Sequence, residues 1–94
     1  MAYTLSYVRW IPVKVEPGMF RTESLAHVTA FDSNTYSFFV DKTLIREHGA
    51  QSLLKVYFAS MAKKHARFIT VLLPTETIET SSRWLNVAVG SVER

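Results

Sequence analysis

The chain has 94 residues, 48% of them apolar and 20% charged. That is enough for one globular core, too little for two, and too apolar for a disordered segment. It contains no cysteine, which excludes disulfides, thiolate metal sites and thiol nucleophiles together and leans toward a reducing compartment, while a net charge of +3 is only a weak invitation to anionic partners.

From residue 3 to 15 the apolar residues alternate. Tyr3, Leu5, Tyr7, Ile11 and Val13 point one way, and Thr4, Ser6 and Lys14 the other, as in a half-buried strand. Pro12 marks an edge or a bend, because it cannot donate to a ladder. No basic segment precedes these residues, and Ser6 and Arg9 interrupt them, so the N-terminus does not read as a signal peptide. Glu16-Pro17-Gly18-Met19 places Pro and Gly where a type II turn wants them. A second strand starts at Met19 or Leu25 and ends at Phe31. Asp32-Ser33-Asn34 is a turn signal, since Asp and Asn bond their own backbone and tolerate left-handed conformations. Residues 36–40 return as the second arm of a hairpin.

After Asp41 the period changes. Ala50, Leu53, Leu54, Tyr57, Phe58, Met61 and His65 fall at three- and four-residue spacings, which predicts a helix over 49–65. Lys63, Lys64 and His65 would complement its negative end. Residues 68–73 are apolar except for Thr70, which suits a central strand that Pro74 stops. Residues 75–82 read as a Thr- and Ser-rich loop, and 83–92 as the last strand. No run approaches the roughly 18–20 apolar residues that span a bilayer.

The reading is therefore a single domain over 1–94, α+β but mainly β. It is a five- to six-stranded antiparallel OB-like barrel with one helix between the third and fourth strands. An open antiparallel sheet with one packed helix is the competing architecture.

Chemistry is sparse. His27, His48 and His65 lie far apart with no metal-site spacing. No nucleophile elbow is present, and Glu76 and Glu79 stand in a solvated loop. The three glycines are scattered, so no phosphate cradle forms. We expect a protein that is not an enzyme and carries no cofactor or metal. Trp10, Tyr36, Phe38 and Phe39 with Arg9, Lys14 and Arg21 could supply the stacking platforms and basic groove of a single-strand binder, although aromatics of this kind ordinarily build a core. Lys63, Lys64, His65 and Arg67 could meet an acidic partner or simply end a solvated helix. Trp10, Tyr57 and Trp84 exceed what one small core holds and would be covered in an oligomer.

In strand order and spacing, residues 20–92 resemble the B subunits of bacterial AB5 toxins, the pertussis-like and subtilase-cytotoxin branch above all. The likeness lies in Phe20-Arg21-Thr22-Glu23-Ser24, the turn Asp32-Ser33-Asn34, Ser52-Leu53-Leu54-Lys55-Val56-Tyr57-Phe58, Phe68-Ile69-Thr70-Val71 and Val87-Ala88-Val89-Gly90. The resemblance implies an OB barrel assembled as a pentameric ring, helices lining its pore, a glycan-binding outer surface and delivery of a toxic A subunit. In that branch a serine on an early strand holds sialic acid; Ser24 falls at its place, with Thr22 beside it. Members of the branch carry a disulfide, and an aromatic in the loop after the fourth strand helps hold the sugar; this chain has no cysteine, and 75–82 has no aromatic.

The leading expectation is a secreted, non-catalytic glycan-binding homo-oligomer that recognises cell-surface, sialylated glycans through Ser24 and Thr22. The alternatives are an OB-fold binder of single-stranded nucleic acid and a purely structural oligomeric adaptor, either of which would be cytoplasmic.

Overall fold

A computed structural model describes residues 7–58 and 67–88. These form β1 (Tyr7–Pro17), β2 (Glu23–Thr29), β3 (Thr35–Asp41), a 3-10 turn (Lys42–Leu44), β4 (Ile45–His48), β5 (Gln51–Phe58), β6 (Phe68–Leu72) and β7 (Trp84–Ala88). The strands lie in the order β3-β2-β1-β5-β6-β7, with β4 beside β5. Every ladder among the described residues is antiparallel.

β1 joins two halves of the sheet. Residues 7–13 pair with β5, from Tyr7↔Phe58 to Val13↔Ser52, and residues 14–17 pair with β2, from Lys14↔His27 to Pro17↔Ser24. Pro12 stands just before the exchange of partners, where a missing N–H is tolerated. The two ends of the sheet then approach each other. Phe31 N–H donates to the Asn86 carbonyl and Ile78 N–H to the Ser37 carbonyl, both at 2.8 Å. The result is a curled antiparallel half-barrel.

Period-2 patterning puts Ala26 and Val28 of β2, Phe38 and Val40 of β3, Leu54 and Val56 of β5, and Leu85 and Val87 of β7 inside the curl. Phe38, Leu54 and Val56 are completely covered. Burying side chains of this size contributes about 1.5–3 kcal/mol each.

The predicted helix over 49–65 is corrected for its described part. Residues 51–58 are the strand β5, joined to β4 through Gly49 and Ala50; residues 59–66 lie outside the described ones. Gly49 has φ +64, and Ala50 is not in the positive-φ region, as in the type II′ turn that suits a two-residue hairpin loop. The apolar residues of this stretch fit either period, and β1 settles the matter by supplying a ladder partner along 52–58. The only helical piece among the described residues is the 3-10 turn, capped by Asp41 Oδ1, which accepts from Thr43 N–H at 2.9 Å.

The first turn also moves. β1 runs through Glu16 and Pro17, Gly18 does not take the positive φ that a type II turn would demand, and the chain reverses over 18–22 instead. The hairpin through Asp32-Ser33-Asn34 forms as expected; the strand expected over 68–73 runs over Phe68–Leu72, and that expected over 83–92 runs over Trp84–Ala88, its residues 89–92 lying outside the described ones.

Candidate functional site

Within the β2–β3 connection, Ser33 N–H donates to the Ala30 carbonyl at 3.0 Å, and Ser33 takes φ 71. Asn34 N–H donates to Asp32 Oδ1 at 2.9 Å, an Asx-turn. Two residues on, the Tyr36 hydroxyl donates to Asp32 Oδ2 at 2.8 Å. Both carboxylate oxygens are thereby fixed while the residue stays exposed. The Asn34 backbone N–H, and then the Tyr36 hydroxyl, hold the Asp32 carboxyl below the usual carboxylate range. The same bond to Asp32 pushes the Tyr36 hydroxyl above its ordinary value.

Opposite this turn stands β7. Trp84, Asn86 and Ala88 face outward, and Leu85 and Val87 face the core. The Phe31 N–H bond to Asn86 fixes the distance between the two elements. Asn86 Oδ1 accepts from Thr70 Oγ1 at 2.6 Å. The Phe31 ring leans on Phe68, with centroids 5.2 Å apart and planes tilted by 47°. Trp84 remains 50% exposed and Phe31 43%.

The loop 73–83 completes the wall through its hydroxyl groups. Thr77, buried in the loop, meets the Thr80 hydroxyl at 2.5 Å, Ser82 N–H donates to Thr80 Oγ1, and Trp84 N–H donates to Ser82 Oγ. Between these parts lies a cleft of about 340 Å³ lined chiefly by Phe31, Asp32, Tyr36, Thr80, Trp84 and Asn86. It offers three aromatic rings, one anchored carboxylate and several small hydroxyl and amide groups.

A second cluster crosses the outer face of β1, β2 and β3. Glu16 Oε2 lies 2.5 Å from His27 Nε2, and His27 Nδ1 lies 2.7 Å from Ser37 Oγ. One ring nitrogen thus meets a carboxylate and the other a hydroxyl. These are the contacts of a nucleophile, a base and an orienting acid. However, Ser37 N–H donates to Glu79 Oε1 at 2.8 Å, so the backbone donor beside this hydroxyl is already taken by a carboxylate. That bond holds the Glu79 carboxyl below its usual range.

A larger cleft of about 770 Å³ opens where β1 changes partners. Its floor is the core-facing side of Val13, Val28 and Val87, with Lys14 and Gln51 at the rim. His27 also lines it, but no carboxylate and no Phe, Tyr or Trp ring does, so size alone does not make it the better candidate.

Of the residues singled out in the sequence, Ser24 is 8% exposed on the core side of β2, in register with Val40. Thr22 is exposed in the first turn, where its carbonyl accepts from Lys42 N–H. Neither lines either cleft. Phe38 is core, and Trp10 is half-buried with the Arg46 guanidinium 4.3 Å from its ring centre. Lys63, Lys64 and His65 lie outside the described residues, and Arg67 is exposed. Among the described residues no helix is long and apolar enough to cross a membrane. Comparison with known protein families, with curated proteins and with solved structures found no match.

Proposed function

We propose that this chain is a non-catalytic carbohydrate-binding module whose ligand sits against Trp84. The observation that carries the reading is an indole left half exposed at a cleft whose opposite wall holds a carboxylate by both oxygens. A sugar ring has an apolar C–H face that packs on an aromatic and hydroxyl groups that need fixed partners. Asp32, Asn86, Thr80 and Ser82 supply such partners around the rings of Trp84, Phe31 and Tyr36. The volume of about 340 Å³ is at the small end for ligand sites, the size of one or two sugar units.

The cleft replaces Ser24 and Thr22 as the proposed contact surface. Its one charged side chain is negative, which disfavours a nucleic-acid strand at the same place. An OB-type barrel remains part of the proposal. It is supported by β1 serving both halves and by the loop 73–83 bonding to the edge of β3; the β4–β5 hairpin, standing where that order has a helix, weighs against it. Self-assembly belongs to the proposal too, because the single chain leaves Met19 77%, Phe20 67% and Ile78 61% exposed, apolar surface that further copies would cover.

A glycan array followed by calorimetry tests the reading. Selective binding is expected, weakened about tenfold or more in Trp84→Ala, in line with the loss of about 1.4 kcal/mol of contact, and unchanged in Trp10→Ala. A chain that ignores every glycan, or a Trp84→Ala variant that binds as well as the parent, overturns it.

A further inference from the structure

The cleft also restricts the charge of what it can take, and this step rests on the carbohydrate-binding reading above. We infer that the preferred ligand is an amino sugar with a free ammonium group, and that sugars bearing a carboxylate are rejected.

Among the lining residues Asp32 is the only charged one, and none is cationic. The neighbouring Arg83 does not line the cleft and donates its Nε–H to the Leu73 carbonyl at 2.9 Å. Glu79 adds a second negative charge, felt at the Tyr36 hydroxyl. An ionised carboxylate is acceptor-only, and both Asp32 oxygens already receive one donor each, so each keeps lone-pair capacity for a further donor. Any sugar hydroxyl could fill that capacity. An ammonium fills it with a charge-assisted bond, roughly twice as strong as a neutral one. The rings of Phe31, Tyr36 and Trp84 line the same cleft, and the face of such a ring attracts a cation within about 6 Å of its centre. A sialic or uronic acid would bring its carboxylate against Asp32 with no cation between them, the kind of repulsion that sets specificity. The sialylated ligand implied by the sequence resemblance is therefore the wrong charge for this cleft.

The full chain is titrated by calorimetry with the β-1,4 disaccharide of glucosamine, with its fully N-acetylated counterpart and with sialyllactose, at mildly acidic pH where the amine is protonated. The free-amine disaccharide is expected to bind about tenfold tighter than the acetylated one, a difference of about 1.4 kcal/mol, with sialyllactose weakest. Asp32→Asn keeps Oδ1 as the acceptor for Asn34 N–H and lets the amide NH2 donate to the Tyr36 oxygen, so the turn holds, while the preference for the free amine falls to within about twofold. Asp41→Asn, the same change in a turn away from the cleft, leaves the preference intact. Equal affinity for the free-amine and acetylated disaccharides, or a preference that survives Asp32→Asn, sinks the charge inference and spares the carbohydrate-binding reading. Absence of binding by all three sugars sinks the charge inference, and sinks the carbohydrate-binding reading as well where the glycan array is also blank.

Discussion

His27 is held between partners on the two neighbouring strands, Glu16 on β1 and Ser37 on β3, and its side chain is only 25% exposed. Each such hydrogen bond contributes about 0.5–1.5 kcal/mol. His27→Ala is accordingly expected to lower unfolding free energy by about 1–2 kcal/mol and Ser37→Ala by about 1 kcal/mol, with the double variant less than additive because the residues share one bond. Lys14→Ala, at the position facing His27 across the ladder, should stay within about 0.5 kcal/mol. Urea denaturation measures all four. A His27→Ala variant as neutral as Lys14→Ala would show the cluster to be ornament on a solvated face. At this scale the sequence was legible in part. Asp32-Ser33-Asn34 announces its turn through side-chain chemistry alone. The meeting of Glu16, His27 and Ser37, or of Phe31 with Phe68, depends on which strands come together, and alternation gives the face a residue takes without its neighbour.

The segment 49–58 shows where local pattern stops deciding. Leu53, Leu54, Tyr57 and Phe58 fit one face of a helix, yet Ser52, Leu54, Val56 and Phe58 fit one face of a strand equally well. The ladder with β1 chooses, because β1 would otherwise keep an unpaired edge along 7–13. Gly49, at the start of the expected helix, is instead the turn glycine of a hairpin. Two glycines now make a discriminating pair. Gly49 has φ +64 with nothing within 4 Å of where a Cβ would stand, so Gly49→Ala costs about 1–2 kcal/mol through backbone strain alone, and Gly49→Asn less, since Asn tolerates that region. At Gly18 the φ is ordinary, but a Cβ would lie 2.7 Å from the Glu23 carbonyl oxygen. Ala and Asn there should therefore be about equally harmful. Thermal melts of the four variants check this, and an Asn that rescues position 18 but not position 49 would reverse the assignment.

Three anchored carboxylates serve the connections of the half-barrel as a whole. Asp32 fixes the β2–β3 turn, Asp41 caps the 3-10 turn after β3, and Glu79 ties the loop 73–83 to the edge of β3. Hydrogen bonds from Asn34, Thr43 and Ser37 N–H groups, respectively, hold all three below their usual range. The folded chain thus binds fewer protons than the unfolded one in acid, so stability rises with pH. Their contribution is complete above the ordinary carboxylate range, about pH 4–4.5, and is lost as pH falls through the depressed folded values. Tyr36 works in the opposite sense: its raised value gives stability that is present below about pH 10 and lost as pH rises through the folded value. A plateau flanked by two declines follows. On the acid side, the growing positive charge adds self-repulsion to a chain that already carries +3, so a decline alone does not identify its cause. Glu79→Gln separates the two effects. The amide oxygen still accepts from Ser37 N–H but carries no charge, so the variant lies below the parent on the plateau, and the titration is gone together with its share of the acid slope. Urea midpoints collected across the acid range should converge for parent and variant as pH falls; two curves that descend in parallel would mean that the loop 73–83 is held without help from this carboxylate.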